Sequence, residues 1–151
     1  MFEKMAGIIV ISHGSFASGI MESAQMIVGQ IPKSAVLCFF EGDNTDEFGN
    51  KLREKILEFG AGTIVLVDLF GGTPFNQLVS KCYDLEFTAV SGVNLPMLLE
   101  VTGLRDEHSG AQLAEKIAEA GKEGVIDIAE FLKNMDNTNN PDPLDELEDL
   151  V

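Results

Sequence analysis

The chain has 151 residues, 45% of them apolar, and a formal net charge of −15, so it is long enough for one domain with a sizeable core. That charge argues against nucleic acid and anionic membrane surfaces as partners, because too few cations are present to neutralise phosphates, and it favours partners with a basic face. No run reaches the roughly 18 apolar residues of a membrane span, and Met1 to Gly7 lacks a basic region followed by an apolar stretch, so no signal peptide is read and the chain is placed in the cytoplasm.

Ile8 to Ser12 is short, β-branched and continuous, the pattern of a strand buried on both faces. Ser15 is placed to cap the next helix, whose predicted buried stripe is Phe16, Ile20, Ala24, Ile27 and Val28, with Gly29 and Pro32 ending it. Ala35 to Phe40 reads as a second strand. Asn44 or Thr45 opens a helix with Asp46 and Glu47 in its first turn, a stripe of Phe48, Leu52, Ile56 and Phe59, and Gly60 as its stop. Thr63 to Phe70 is the third and most apolar strand. Thr73 and Pro74 read as N-cap and first helical residue of a helix ending near Tyr83. Phe87 to Ser91 is a fourth strand. Asn94 and Pro96 start a short helix to about Val101. Ser109 to Ala120 is another, with Leu113, Ile117 and Ala120 inward, and Val125 to Ile128 reads as a fifth short strand.

This order predicts a single α/β domain over residues 1–133, a mostly parallel open sheet with helices on both faces. Residues 134–151 form an acidic tail with six acids and no base. Its Asn, Asp and Pro content over Asn134 to Pro143 reads as disordered, while Leu144, Leu147, Leu150 and Val151 have rough helical spacing. Cys38 and Cys82 lie in apolar segments and read as reduced core thiols.

Ligand sites in open α/β sheets lie outside the carboxyl ends of the strands. His13 ends the first strand and Asp68 falls near the end of the third, so both belong at that edge. A neutral imidazole offers one nucleophilic nitrogen while the other keeps its proton. A carboxylate on the second nitrogen fixes the tautomer and stabilises the cation formed on phosphorylation. Gly71, Gly72 and Thr73 supply the anion side, since successive glycines let amides approach a phosphoryl group where a helix begins. No phosphate loop of the G-x-x-x-x-G-K-[ST] type, no spaced acidic cluster for Mg²⁺ and no Cys/His set for zinc occurs, so neither a metal nor a cofactor is predicted. His108, in a polar loop, reads as solvated.

The strand ending in His13-Gly14, the block Leu66-Val67-Asp68-Leu69-Phe70-Gly71-Gly72-Thr73-Pro74-Phe75-Asn76 and the block Gly92-Val93-Asn94-Leu95-Pro96-Met97-Leu98 resemble the IIA component of the mannose-family sugar phosphotransferase system. The likeness covers about Ile8 to Ile128. It implies that His13 accepts a phosphoryl group on Nε2 from the carrier HPr and passes it to a histidine of a IIB component, with Asp68 on Nδ1. It also implies a homodimer that exchanges its last strand, here Val125 to Ile128, and a sugar specificity that lies in the membrane components. Some family members continue into IIB, whereas this sequence stops after its acidic tail, so IIB is expected as a separate chain.

Transfer between two imidazoles requires an accessible His13 and an apolar rim that keeps water from the phosphoryl group. Phe16, Met26, Phe70, Phe75 and Met97 are the predicted rim. Three other readings stand beside this one. A phosphotransferase subunit of a dihydroxyacetone kinase also uses a strand-end histidine, although the Gly92 to Met97 block favours sugar uptake. A non-enzymatic regulator would sense phosphorylation without passing it on. A Ser-His-Asp hydrolase would use Ser12 or Ser15, but no G-x-S-x-G elbow is present.

Overall fold

The apolar run at Ile8 forms β1 (Ile8–His13), whose first five residues are all buried. A computed structural model of the protein describes residues 5–136. The chain continues through α1 (Phe16–Val28), β2 (Ser34–Phe39), α2 (Thr45–Phe59), β3 (Thr63–Val67), α3 (Gly72–Cys82), β4 (Phe87–Ser91), α4 (Leu95–Leu104), α5 (Gly110–Glu123) and α6 (Ile128–Asp136). The four strands form one sheet in the order β2-β1-β3-β4, and every pairing is parallel.

The period-two alternation of the strands divides the core. Ile8, Val10, Ile64 and Leu66 face a cluster built by α1, α4 and α5, with Ile20, Leu98 and Ile117 at its centre. Ile9, Ile11, Val65 and Val67 face the opposite cluster, where α2 and α3 contribute Phe48, Leu52, Leu78 and Cys82. The sheet is therefore covered on both faces, as the run of apolar residues in each inner strand requires. Among the described residues, no helix is long and apolar enough to cross a membrane.

Asn44 caps α2 by accepting the Glu47 amide at 2.9 Å, and Asn94 caps α4 by accepting the Met97 amide at 3.0 Å. Other boundaries depart from the sequence reading. Ser15 makes no side-chain cap. The buried Ser12 does so instead, its Oγ accepting the Ala17 amide at 2.7 Å. The buried stripe of α1 is Ala17, Ile20, Met21 and Ala24, whereas Phe16, Ile27 and Val28 are exposed. In α5 it is Gly121, not Ala120, that joins Leu113 and Ile117. Strand β3 stops at Val67, and α3 begins at Gly72 behind an N-cap at Gly71, so Thr73 is a helical residue and not the cap. Pro74 remains in the first turn, where its missing N–H has no intrahelical partner to lose.

The predicted fifth strand does not form within this chain. Asp127 lies inside that segment and caps a helix, its Oδ1 accepting the Glu130 amide at 3.2 Å while its carbonyl accepts the Phe131 amide at 3.0 Å. Helix α6 follows at once and reaches Asp136, so Asn134 to Asp136 are helical. Val125, Ile126 and Ile128 are left exposed. The remaining tail, with its Leu144 to Val151 spacing, lies outside the described residues. Cys82 is buried and Cys38 half-buried, and both are free thiols.

Candidate active site at the carboxyl edge of the sheet

The sheet order reverses between β1 and β3: the chain leaves β1 toward β2 on one side and then crosses to β3 on the other. Such a switch point opens a crevice at the carboxyl ends of the two strands. His13 is the last residue of β1, and Asp68 follows the last residue of β3, its amide donating to the Ile11 carbonyl at 3.1 Å. The two residues, 55 positions apart in sequence, thus become neighbours through the parallel register of β1 on β3.

The contact is specific. Asp68 Oδ2 lies 2.7 Å from His13 Nδ1 and also accepts the His13 main-chain N–H at 2.9 Å. Asp68 Oδ1 accepts the Leu69 amide at 2.9 Å. A carboxylate only accepts, so this geometry places the imidazole proton on Nδ1 and leaves the Nε2 lone pair free. The Asp68 side chain is 12% exposed and that of His13 is 44% exposed, so the base of the pair is held while the ring reaches solvent.

Gly72 stands against the free edge of the ring. A Cβ at this position would lie 2.8 Å from His13 Cε1 and 3.0 Å from Nε2, closer than a side chain tolerates. Gly71 and Gly72 both have positive φ, +94° and +80°, which brings the start of α3 up to the imidazole. Thr73 is half-buried in the same first turn. The N-terminal amides of this 11-residue helix carry its positive dipole end to the side of the ring where an anion would sit. Among the described residues, no three His, Cys, Asp or Glu side chains converge to hold a metal ion.

Of the predicted rim, Phe16 and Phe70 are exposed at the carboxyl edge, Phe70 at 77%. Met26 is exposed too, but it lies in the last turn of α1, about 15 Å along the helix from Phe16 and toward the amino edge, so it does not belong to the rim. Phe70 leans on Phe75, with ring centroids 4.6 Å apart, and Phe75 is half-buried against the α2–α3 core. Met97 is a correction. It is only 3% exposed and packs in the core, where its Cε occupies the space that the lack of a Cβ at Gly121 leaves open. His108 is a second one, since it is half-buried beside a cavity and not free in solvent.

Sequence reasoning missed two contributors. Ser12 donates to the Gly14 carbonyl at 3.2 Å while accepting the Ala17 amide, so it fixes the turn that carries His13. It is wholly buried, which rules Ser12 out as the nucleophile of a Ser-His-Asp hydrolase. Phe40 lies one residue beyond Phe39, the β2 partner of His13, and is exposed at the same edge. Reading Phe40 as the last residue of the strand concealed it.

A family model described as "PTS system fructose IIA component" (EIIA-man) matches residues 7–118. The fructose-specific EIIA component of Bacillus subtilis (strain 168) is 30% identical over 146 residues, covering 95% of this chain and 100% of the relative. The mannose-specific EIIAB component of Escherichia coli (strain K12) is 32% identical over 122 residues, covering 78% of this chain but only 38% of its own length. Among solved structures, the phosphotransferase system component EIIA from Streptococcus agalactiae superposes with a TM-score of 0.75 at 30% identity, covering 83% of this chain and 98% of that one. These matches favour neither a dihydroxyacetone kinase subunit nor a non-enzymatic regulator. By these matches, the chain belongs to the fructose/mannose IIA family of the sugar phosphotransferase system, whose members take a phosphoryl group from HPr and pass it to a IIB component.

Proposed function

We propose that His13 carries the phosphoryl group between HPr and IIB as an Nε2-phosphohistidine, and that Asp68 orients the ring for both transfers. The observation that carries this reading is the 2.7 Å bond from His13 Nδ1 to Asp68, which leaves Nε2 as the nucleophile beside Gly72.

In the first transfer the Nε2 lone pair forms a bond to phosphorus as the P–N bond to the donor imidazole breaks. That electron pair returns to the donor nitrogen. The ring of His13 keeps its Nδ1 proton and becomes cationic, and the Asp68 carboxylate stabilises the charge. Gly71, Gly72 and Thr73 at the start of α3 hold the phosphoryl oxygens. The second transfer reverses these roles, with a IIB histidine as the acceptor. Because the transition state is loose and in line, the protein acts mainly by positioning and electrostatics. Phe16 and Phe70, with Phe75 beneath Phe70, form the apolar rim against which a partner protein closes and excludes water. The acidic chain complements a basic docking face on HPr.

The proposed setting is the cytoplasm, and the proposed assembly is a homodimer. Exposed Val125, Ile126 and Ile128 support an exchanged last strand, because pairing across the dimer would bury them. Sedimentation is expected to give a dimer that Ile126→Asp weakens; a monomeric wild type would remove the exchange.

The transfer itself is tested with phosphoenolpyruvate, the general enzymes of the system and HPr, followed by intact-mass measurement. Wild type should gain one acid-labile phosphoryl group, and a IIB component should remove it. His13→Ala should gain none. An unchanged wild-type mass in the presence of competent phospho-HPr would overturn the assignment.

A further inference from the structure

We infer that the cavity at the amino edge of the sheet, opposite His13, binds a small phosphomonoester dianion between Lys33, Arg105 and the start of α5. Residues before β1, β2 and β3 surround this cavity, so it lies about 17 Å from the catalytic edge, the length of a six-residue strand.

Its volume is about 330 Å³. The chain carries 25 acidic residues against 10 Lys and Arg, yet Lys33, Arg105 and His108 line the cavity and, among the described residues, no Asp or Glu does. Asp106 neighbours Arg105, and the Glu107 carboxylate lies 3.9 Å from His108 Nε2 and is mostly in solvent. Neither lines the cavity.

Arg105 is the strongest indicator. It is only 6% exposed, and among the described residues it forms no ion pair with a carboxylate. Its Nη1 donates to the Pro32 carbonyl at 2.8 Å and to the Ala6 carbonyl at 3.4 Å, while its buried Nε has no acceptor among the described residues. A guanidinium buried without a counter-charge is costly, and an anion beside it removes that cost. Burial accordingly pulls the Arg105 pKa down, opposed only by Asp106.

The other donors converge on the same space. Helix α5 has 14 residues, no acid in its first turn and no side-chain cap from Ser109, so the Ser109 hydroxyl and the first amides are available to an anion. Lys33, held at a positive φ of 51°, donates one Nζ proton to the Met5 carbonyl at 2.8 Å and has two more to offer. A guanidinium, an ammonium and a helix terminus approaching from three elements suit the three oxygens of a phosphate better than the two of a carboxylate. Phe59, Ala61 and Leu113 leave room for the organic part of an ester.

The test is a titration of the ¹⁵N-labelled full chain with glucose 6-phosphate, with inorganic phosphate as a parallel arm, at constant ionic strength. Saturable shifts are expected at Lys33, Ser109 and Gly110, tighter for the ester than for inorganic phosphate and unchanged in His13→Ala. Lys33→Met and Arg105→Lys should each weaken binding at least about tenfold. Arg105 also ties two loops together, so Lys33→Met decides the matter if the arginine variant fails to fold. Shifts that do not saturate, that centre on Gly72, or that persist undiminished in Lys33→Met would overturn the site. Equal affinity for inorganic phosphate would overturn the ester assignment.

Discussion

The carboxylate of Asp68 grips His13 twice through one oxygen. Oδ2 accepts the main-chain N–H at 2.9 Å and meets the ring Nδ1 at 2.7 Å. The strand end and the imidazole are thereby fixed to a single point, itself tied to β3. A ring held this way keeps both its tautomer and its aim.

Replacing Asp68 by Asn should leave the fold intact and slow phosphorylation of His13 by about 10²-fold or more, because the ring loses its negative partner and its fixed tautomer. Stopped reactions with phospho-HPr measure the rate, and circular dichroism checks the fold. A variant with wild-type rates would remove Asp68 from the mechanism.

Gly71 and Gly72 separate backbone strain from chemistry. Both have positive φ, so alanine at either should destabilise the protein by about 1–3 kcal/mol. Only at Gly72 would the new Cβ strike the His13 ring, since nothing lies within 4 Å of a Cβ at Gly71. Gly72→Ala should therefore abolish phosphorylation under conditions where Gly71→Ala still accepts the group. Equal activity in the two folded variants would contradict the close approach.

Ser12→Ala removes the buried oxygen that accepts the Ala17 amide at 2.7 Å. The amide is left without that partner, and the expected loss is about 1–2 kcal/mol, read from the urea midpoint. Ser15→Ala, which removes no cap, should be near neutral by comparison.

The acid limb of stability should report Asp84. Its side-chain hydrogen bonds with Arg53, 2.6 and 2.9 Å long, hold its carboxyl below the ordinary value of 3.8. The unfolded carboxyl then binds its proton first as pH falls. The stabilisation is present above about pH 3.8 and is lost as pH drops through the folded value. Asp84→Asn should be less stable than wild type near neutrality, with the gap closing in acid. A gap independent of pH would assign the loss to packing.

Much of the site was legible because its signals are local. A β-branched run ending at His13 and an apolar run leading to Asp68 put both residues at strand ends, and parallel pairing then places them at one edge. The α1 stripe was misread for a physical reason. Its first residue, Phe16, emerges at the open edge of the sheet, and the burial falls instead on small Ala17 and unbranched Met21, which weigh little in an apolar pattern. Val125 to Ile128 has strand composition, but Asp127 inside it caps a helix, and a cap is decided by one hydrogen bond that composition does not carry. Met97 lies within a family-like block, yet the glycine at position 121 draws it into the core, a pairing 24 residues distant that the local sequence cannot disclose.

The nitrogen that carries the phosphoryl group tests the account most directly. Long-range ¹H–¹⁵N correlation spectra of the phosphorylated protein assign it, with the ³¹P coupling as the marker. The prediction is phosphate on Nε2 of His13, with a retained Nδ1 proton hydrogen-bonded to Asp68. Phosphate on Nδ1, or on any residue other than His13, would contradict it.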